Sequence, residues 1–139
     1  AQKAAALQET RADGLGERDI AAQRDLMATR NKFLDMYNAQ GLFSLEHYYS
    51  ARNAILEEGT RKQVEQYDLE IEALKKRRAA VPKETDKADL DGRIAETEAK
   101  RAKLLQDAGI AGLELSIRRT QSEKEYKDVL EEVNAKILE

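Results

Sequence analysis

The chain contains no cysteine, no tryptophan and a single proline, and aromatic residues make up only 5% of its length. The absence of cysteine excludes disulfides and thiolate metal sites. Nowhere do 18 apolar residues follow one another, so the sequence predicts no membrane-spanning helix. With so few aromatic side chains, the chain is expected to bury narrow seams between helices rather than a large globular core.

Charge is what the chain has in abundance. Charged residues are 37% of its 139 positions, both signs are mixed throughout, and the net charge is −3. A nucleic-acid surface needs a basic face, so no specific nucleic-acid binding is expected. Alanine, glutamate, lysine, leucine and arginine dominate, which is typical of coiled coils and long helices. The first residue is Ala1 rather than methionine, which indicates a segment of a longer protein, and no signal peptide is visible.

Residues 1–40 are predicted to form two helices with a break at 13–16. The stretch "DGLG" (Asp13–Gly16) holds two glycines, which favour a turn between a short Ala-rich helix and a second helix. In the second helix the apolar residues are spaced as one helix face requires: Ile20, Leu26, Met27, Phe33, Leu34 and Tyr37.

Residues 41–44 are predicted to form a corner. Gly41 suits the left-handed conformation that ends many helices. Ser44 suits an N-cap whose hydroxyl accepts from the backbone N–H of Glu46 or His47. The next helix is therefore expected to begin at Leu45.

Residues 45–139 are predicted to form a long antiparallel helical hairpin of the coiled-coil kind. Its turn is expected near 81–86, where Pro82 stops the first arm and Thr85 caps the second. The first arm carries a row at helical spacing: Leu56, Thr60, Val64, Tyr67, Ile71, Leu74 and Arg78. The second arm carries a heptad row: Leu90, Ile94, Thr97, Arg101, Leu104, Ala108, Ala111 and Leu115.

The two rows share one register about the turn. Folding the chain at residue 84 sets these residues opposite one another: Leu74 and Ile94, Ile71 and Thr97, Tyr67 and Arg101, Val64 and Leu104, Thr60 and Ala108. The same register places Gly59 against Gly109, which would let the backbones approach closely. A kink or split of the second arm at Gly109–Gly112 is the alternative.

Apolar spacing weakens beyond Leu115 and resumes nearer the C-terminus, at Tyr126, Val129, Leu130, Val133 and Ile137. The hairpin register carries this end past the corner, so a small three-helix junction with Leu34, Tyr37 and Leu42 is expected. The predicted fold class is all-α: a long antiparallel hairpin with a shorter N-terminal helical segment.

No catalytic, cofactor-binding or metal-ligating residue is predicted. His47 is the one histidine, and a hydrolytic or metal site needs several converging groups, so it is interpreted as a surface or capping residue. Tyr48 and Tyr49 could stack on a ligand or partner, or fill the space where helices splay at the corner. The second interpretation is favoured.

Two charged stretches complete the candidates. "KKRR" (Lys75–Arg78) could touch phosphate, but cations in a last helical turn complement the helix dipole, so a solvated helix end is expected. "DKADLD" (Asp86–Asp91) lacks the glycine and final glutamate of a calcium loop. Phosphate-loop, nucleotide and hydrolase motifs are missing. The sequence therefore predicts no enzyme, no cofactor and no small-molecule substrate.

The corner and the following arms carry a family resemblance over roughly residues 30–138. A Gly-Leu-apolar-Ser-apolar-acidic-X-Tyr-Tyr stretch opens a helix, followed by an Arg- and Glu-rich helix. This pattern resembles tail tape-measure proteins of long-tailed, lambda-like phages and prophages. The matching positions are Gly41, Leu42, Phe43, Ser44, Leu45, Glu46, Tyr48 and Tyr49. His47 fills the variable position, so the resemblance gives it no chemical role.

The resemblance implies a non-enzymatic structural function. Such proteins are long, mainly helical rods in the lumen of the tail tube, and their length sets tail length while tube subunits polymerise around them. The implied partners are tail-tube and tail-assembly proteins. The implied locations are the virion tail and, during assembly, the host cytoplasm. A hairpin doubles back, however, which halves its contribution to length unless it opens.

Two other functions stay open. The chain could be a coiled-coil interaction module whose partner is another helix. It could also resemble periplasmic helical-hairpin adaptors, although those are flanked by β-rich halves and no strand pattern occurs here. Oligomeric state is open as well, because the hairpin leaves Ile55, Leu69 and Leu113 without a partner and self-association would cover them.

Overall fold

Three helices in an antiparallel zigzag make up the described part of the chain. A computed structural model describes the backbone of residues 2–41 and 44–138, and the side chains of residues 16–41 and 44–137. The helices are α1 (Gln2–Ala39), α2 (Leu45–Ala80) and α3 (Glu84–Leu138), and these described residues contain no strand. Both α1 and α3 pack along α2, and over the described residues they do not pack against each other. The predicted all-α hairpin with an N-terminal helical segment is confirmed.

The core of the hairpin lies next to its turn. Ile71 and Leu74 of α2 pack with Leu90 and Ile94 of α3 in one buried cluster, and Val81 covers its end. Leu74 is the most deeply buried of them, with only 2% of its surface exposed. The cluster contains the predicted pair of Leu74 and Ile94. Thr97, the predicted partner of Ile71, is also buried.

Ion pairs flank the apolar seam in the same register. Arg101 of α3 donates to Asp68 of α2 at 2.7 Å, and Arg78 pairs with Asp91. Arg101, which the heptad row places in the seam, is therefore held at its edge by an ion pair with α2.

The turn differs from the prediction by two residues. α2 ends at Ala80 as expected, and the N–H of Val81 donates to the Arg77 carbonyl at 3.2 Å. α3 already begins at Glu84, so Thr85 lies inside the first turn and is not the cap. The Lys87 N–H donates to the Lys83 carbonyl at 3.1 Å, so the hydrogen bonds of α3 begin at Lys83, two residues before Thr85.

The predicted break at residues 13–16 is wrong, because α1 is one helix from Gln2 to Ala39. Glycine costs about 1 kcal/mol inside a helix but does not forbid one. At Gly16 the helix already runs beside α2, since an added Cβ would lie 3.9 Å from Glu70 Oε2. Ile20 and Leu34 are buried farther along α1. Packing against α2, which the glycine pattern does not reveal, offsets the cost.

The predicted close approach of Gly59 and Gly109 is also wrong. Gly59 is buried, but a Cβ placed there would lie 2.1 Å from Met27 Sδ of α1. A Cβ at Gly109 would meet nothing within 4 Å. The missing side chain at Gly59 thus makes room for α1 rather than α3. α3 passes Gly109–Gly112 without interruption, so the alternative of a split arm is wrong too.

The last part of α3 extends beyond α2, and we call residues 126–138 the α3 arm. Its apolar side chains are 43–74% exposed: Tyr126, Val129, Leu130, Val133 and Ile137. Leu34 is buried, Tyr37 is exposed, and Leu42 lies outside the described residues. The part of the predicted three-helix junction that the structure describes does not form, because the backbones of α1 and α3 do not approach each other and the apolar side chains of the α3 arm stay exposed.

Candidate functional site: the tyrosine corner

The corner between α1 and α2 is built from the two predicted caps. Gly41 has a φ of 72°, the left-handed region that glycine enters without strain, and its N–H donates to the Asn38 carbonyl at 2.9 Å. Ser44 is extended, and its hydroxyl accepts from the His47 N–H at 3.2 Å. Both predictions are confirmed, as is the start of α2 at Leu45.

His47 belongs to this cap. Its side chain is exposed, and its Nδ1 lies 3.0 Å from the Ser44 hydroxyl that also receives its backbone N–H. A hydroxyl can accept one hydrogen bond and donate another, so the two residues close a small ring at the helix start. The interpretation of His47 as a surface capping residue is confirmed.

Tyr48 connects α2 to α1. Its hydroxyl donates to Asp35 Oδ1 at 2.5 Å, and Arg52 holds the same carboxylate at 3.2 and 3.4 Å. The Arg52 guanidinium also lies 5.9 Å from the centre of the Tyr48 ring, within range of a cation–π contact. One carboxylate near the end of α1 is therefore fixed by two side chains one helical turn apart on α2.

This environment changes the acidity of Tyr48. Partial burial first, and then the hydrogen bond to the Asp35 carboxylate, raise the pKa of the Tyr48 hydroxyl above its ordinary value of 10.0. The positive charge of Arg52 acts in the opposite direction and does not cancel them. The hydroxyl thus keeps its proton, and can donate it, throughout the neutral range.

Tyr49 connects α2 to α3. Its hydroxyl lies 3.0 Å from the Ser122 hydroxyl, and its half-buried ring meets the Tyr48 ring edge-on, with centroids 5.0 Å apart at 81°. Consecutive positions on a helix point about 100° apart, so adjacent tyrosines can reach different neighbours. The two rings pack at the corner, as the favoured interpretation predicts, and their hydroxyls bind other parts of the chain.

The polar face of α2 is what sequence reasoning missed. Gln63 is only 3% exposed; its amide donates to the Gly59 carbonyl at 3.2 Å and its oxygen accepts from Arg24 Nε at 3.3 Å. Arg30 pairs with Glu58 at 3.2 Å on the same side. Arg52, Gly59 and Gln63 are spaced seven and four apart, which is a helical row, but hydropathy does not mark it because none of them is apolar.

An open groove of about 920 Å³ lies between α1 and α3, with α2 as its floor. Charges of both signs line it, among them Arg24, Lys103 and Asp107, and Lys100 reaches Glu17 across it at 3.9 Å. Mixed charge of this kind selects neither an anion nor a cation. Over the part of the chain that the structure describes, no three acidic or histidine side chains are grouped to hold a metal ion.

The charged stretches at the hairpin turn form ion pairs. Lys75 lies 4.0 Å from Glu98 of α3, and Lys76 lies 3.3 Å from Glu72 one turn earlier in α2. Asp91 is the carboxylate that Arg78 binds. The "KKRR" and "DKADLD" stretches thus contribute to the contact between the two arms, in addition to forming helix ends.

Comparison with known proteins identifies no relative. No protein-family model matches the chain, and neither a curated protein nor a solved structure is significantly similar to it. Within the described residues, none of the helices has an apolar stretch long enough to cross a lipid bilayer.

Proposed function

We propose that this chain is a non-enzymatic structural segment of a phage or prophage tail tape-measure protein. The observation that supports the proposal best is the use of the two corner tyrosines. They are the most distinctive part of the resemblance, and both hydroxyls hold helices together: Tyr48 through Asp35 and Tyr49 through Ser122. A length-setting protein needs stable helices and defined joints, which this arrangement supplies.

The folded and opened forms differ greatly in length. At about 1.5 Å per residue, α2 and α3 are about 54 and 83 Å long, so placed end to end they span roughly 135 Å. Folded as a hairpin, they advance the chain from Leu45 to Leu138 by only about 20 Å, the length of the α3 arm. A measurement of tail length therefore tests whether the chain sets that length and whether its hairpin is folded or open in the tail.

Deletion of residues 45–137 from the protein that carries them tests the proposal by electron microscopy of the tails. Tails shorter by roughly 135 Å are expected if the helices lie end to end, and by about 20 Å if the hairpin persists. Duplication of the same residues is the matched variant and should lengthen tails by the same amount. Unchanged tail length in both variants would overturn the proposal, as would absence of the chain from purified particles.

A helical interaction module is the second candidate, and the outer face of α1 favours it. Ala22, Leu26, Thr29, Phe33 and Met36 follow the 4-3-4-3 spacing of a coiled-coil seam, and all five are exposed. Phe33→Glu would weaken binding to a partner helix there but should leave tail length unchanged. This candidate would be favoured if the chain is absent from tails and if Phe33→Glu abolishes a stable complex with another helical protein.

A further inference from the structure

We infer that the α3 arm is a self-association surface and that two copies of the chain pair through it in antiparallel orientation. This inference concerns the chain in solution and does not depend on the tail proposal. Within the described residues, the arm is the segment of α3 that lies past the start of α2, and its apolar row is exposed.

The exposed row continues an established interface. Ser122 is bound by Tyr49 of α2, and Tyr126, Val129 and Val133 lie four, seven and eleven positions farther along α3. Residues at these offsets share one helix face. The face that contacts α2 therefore runs on, still apolar, for about 20 Å beyond it. A helix that took the place of α2 along the arm would bury this row.

The row fits another copy of itself. Tyr126, Leu130, Val133 and Ile137 are spaced 4, 3 and 4, which reads the same in both directions. Two such arms laid antiparallel place Tyr126 of each copy beside Ile137 of the other, and Leu130 beside Val133. Each of these four side chains then meets an apolar side chain of the other copy, and the two halves of the interface are related by the two-fold symmetry of a dimer.

The charges of the arm permit this pairing. With the four core positions turned inward, the nearby carboxylates point away from the second copy: Glu125, Asp128, Glu131 and Glu132. At the edges of the seam, Lys127 lies beside Asn134 of the second copy, and Lys136 lies beside Val129. No two like charges face each other across the antiparallel pair, so repulsion does not oppose it.

Packing within one copy excludes the parallel arrangement. In a parallel pair, the second copy's α3 would run back from the arm along the face that α2 already covers, where Ser122 meets Tyr49. In the antiparallel pair, α3 of the second copy runs past Ile137 and away from the first copy, so the seam with α2 stays unobstructed. The occupied seam thus sets the orientation of the pair.

Sedimentation of the 139-residue chain at about 100 µM tests whether it associates, because an interface this short is expected to bind in roughly the micromolar range. Leu130→Glu should weaken dimerisation at least about tenfold by placing a carboxylate in the seam. Leu113→Glu is the matched control, since Leu113 is also exposed on α3, at 63%, but on a different face. A monomeric wild-type chain, or equal effects of the two variants, would overturn the inference.

Cysteine crosslinking tests the orientation of the two arms. The chain contains no cysteine of its own, so an introduced cysteine is the only thiol in each variant. Tyr126→Cys and Ile137→Cys are prepared as separate single variants. On oxidation, antiparallel arms should crosslink only when the two variants are mixed, because equal positions lie about 16 Å apart and a disulfide needs Cα atoms within about 7 Å. Crosslinking of either variant alone, or none in the mixture, would contradict the antiparallel pair.

Discussion

The two faces of α2 are held by different physical means. Toward α3 it presents Ile71 and Leu74, which enter a closed apolar cluster. Toward α1 it presents Gly59, whose missing side chain admits Met27, and the buried amide of Gln63. Burial of apolar surface is non-directional, whereas a shape match or a hydrogen bond requires one geometry. The first face provides most of the stability, and the second determines how α1 is placed.

The two faces should differ in strength. Fully burying a large aliphatic side chain is worth about 1.5–3 kcal/mol, and the α2–α3 cluster contains four of them. Against α2, α1 buries Ile20 and Leu34 and adds exposed ion pairs such as Arg30–Glu58, which water and salt screen. We therefore expect α1 to detach from α2 before the hairpin opens.

The largest expected effect comes from the apolar face. Leu74→Ala removes the most buried leucine and leaves a cavity, so the free energy of unfolding should fall by about 2–5 kcal/mol. Urea unfolding followed by circular dichroism measures it. Leu69→Ala in the same helix, where the leucine is 60% exposed, should change stability by less than about 0.5 kcal/mol. Similar losses in both variants would show that the cluster is not the main source of stability.

An intermediate effect is expected from the face toward α1. In Gly59→Leu, the new side chain occupies the position of Met27 Sδ, and overpacking of this kind costs about 1–3 kcal/mol. Amide hydrogen exchange should speed up in α1 while α3 keeps its protection. Gly109→Leu is the control, because a Cβ added at this position meets nothing within 4 Å. Replacing a glycine inside a helix also raises helix propensity. Faster exchange in α3 of the Gly59→Leu chain would contradict separate roles for the two faces.

The smallest effect is a pH dependence at the corner. The pKa of Tyr48 is raised in the folded chain. The Tyr48 hydroxyl therefore contributes fully to the free energy of unfolding below the unfolded pKa of 10.0, and this contribution is lost as pH rises through the folded pKa. At neutral pH, Tyr48→Phe should cost less than about 1 kcal/mol. Thermal melts of both chains from about pH 8 to 11 should show this difference shrinking above pH 10. A constant difference would mean that the hydrogen bond to Asp35 contributes nothing.

Much of the hairpin was predictable because its signal is apolar and periodic. The rows about residue 84 place Leu74 beside Ile94 correctly, and the caps at Gly41 and Ser44 follow from the local chemistry of glycine and serine. Such signals depend on short-range geometry, which the sequence states directly. The start of α3 at Glu84 instead of after Thr85 shows the usual uncertainty of a helix boundary.

The contact with α1 was not predictable in the same way. Gly59 and the glycines of "DGLG" have a low helix propensity, but whether that cost is offset depends on a neighbour far away in sequence. Gln63 gives no hydropathy signal, although Arg24 is 39 positions away and completes its hydrogen bonding. At the corner, the tyrosines could be interpreted as space-filling, but their partners Asp35 and Ser122 appear only when the register of all three helices is known.

The zigzag order of the helices has a mechanical consequence. α1 and α3 run in the same direction, so Gln2 and Leu138 lie toward opposite ends of the rod. Tension applied between them slides both outer helices along α2 instead of peeling them away from it. In this shear geometry, the contacts along each interface carry the load together rather than one after another. A chain folded this way should resist stretching far better than its modest apolar core suggests.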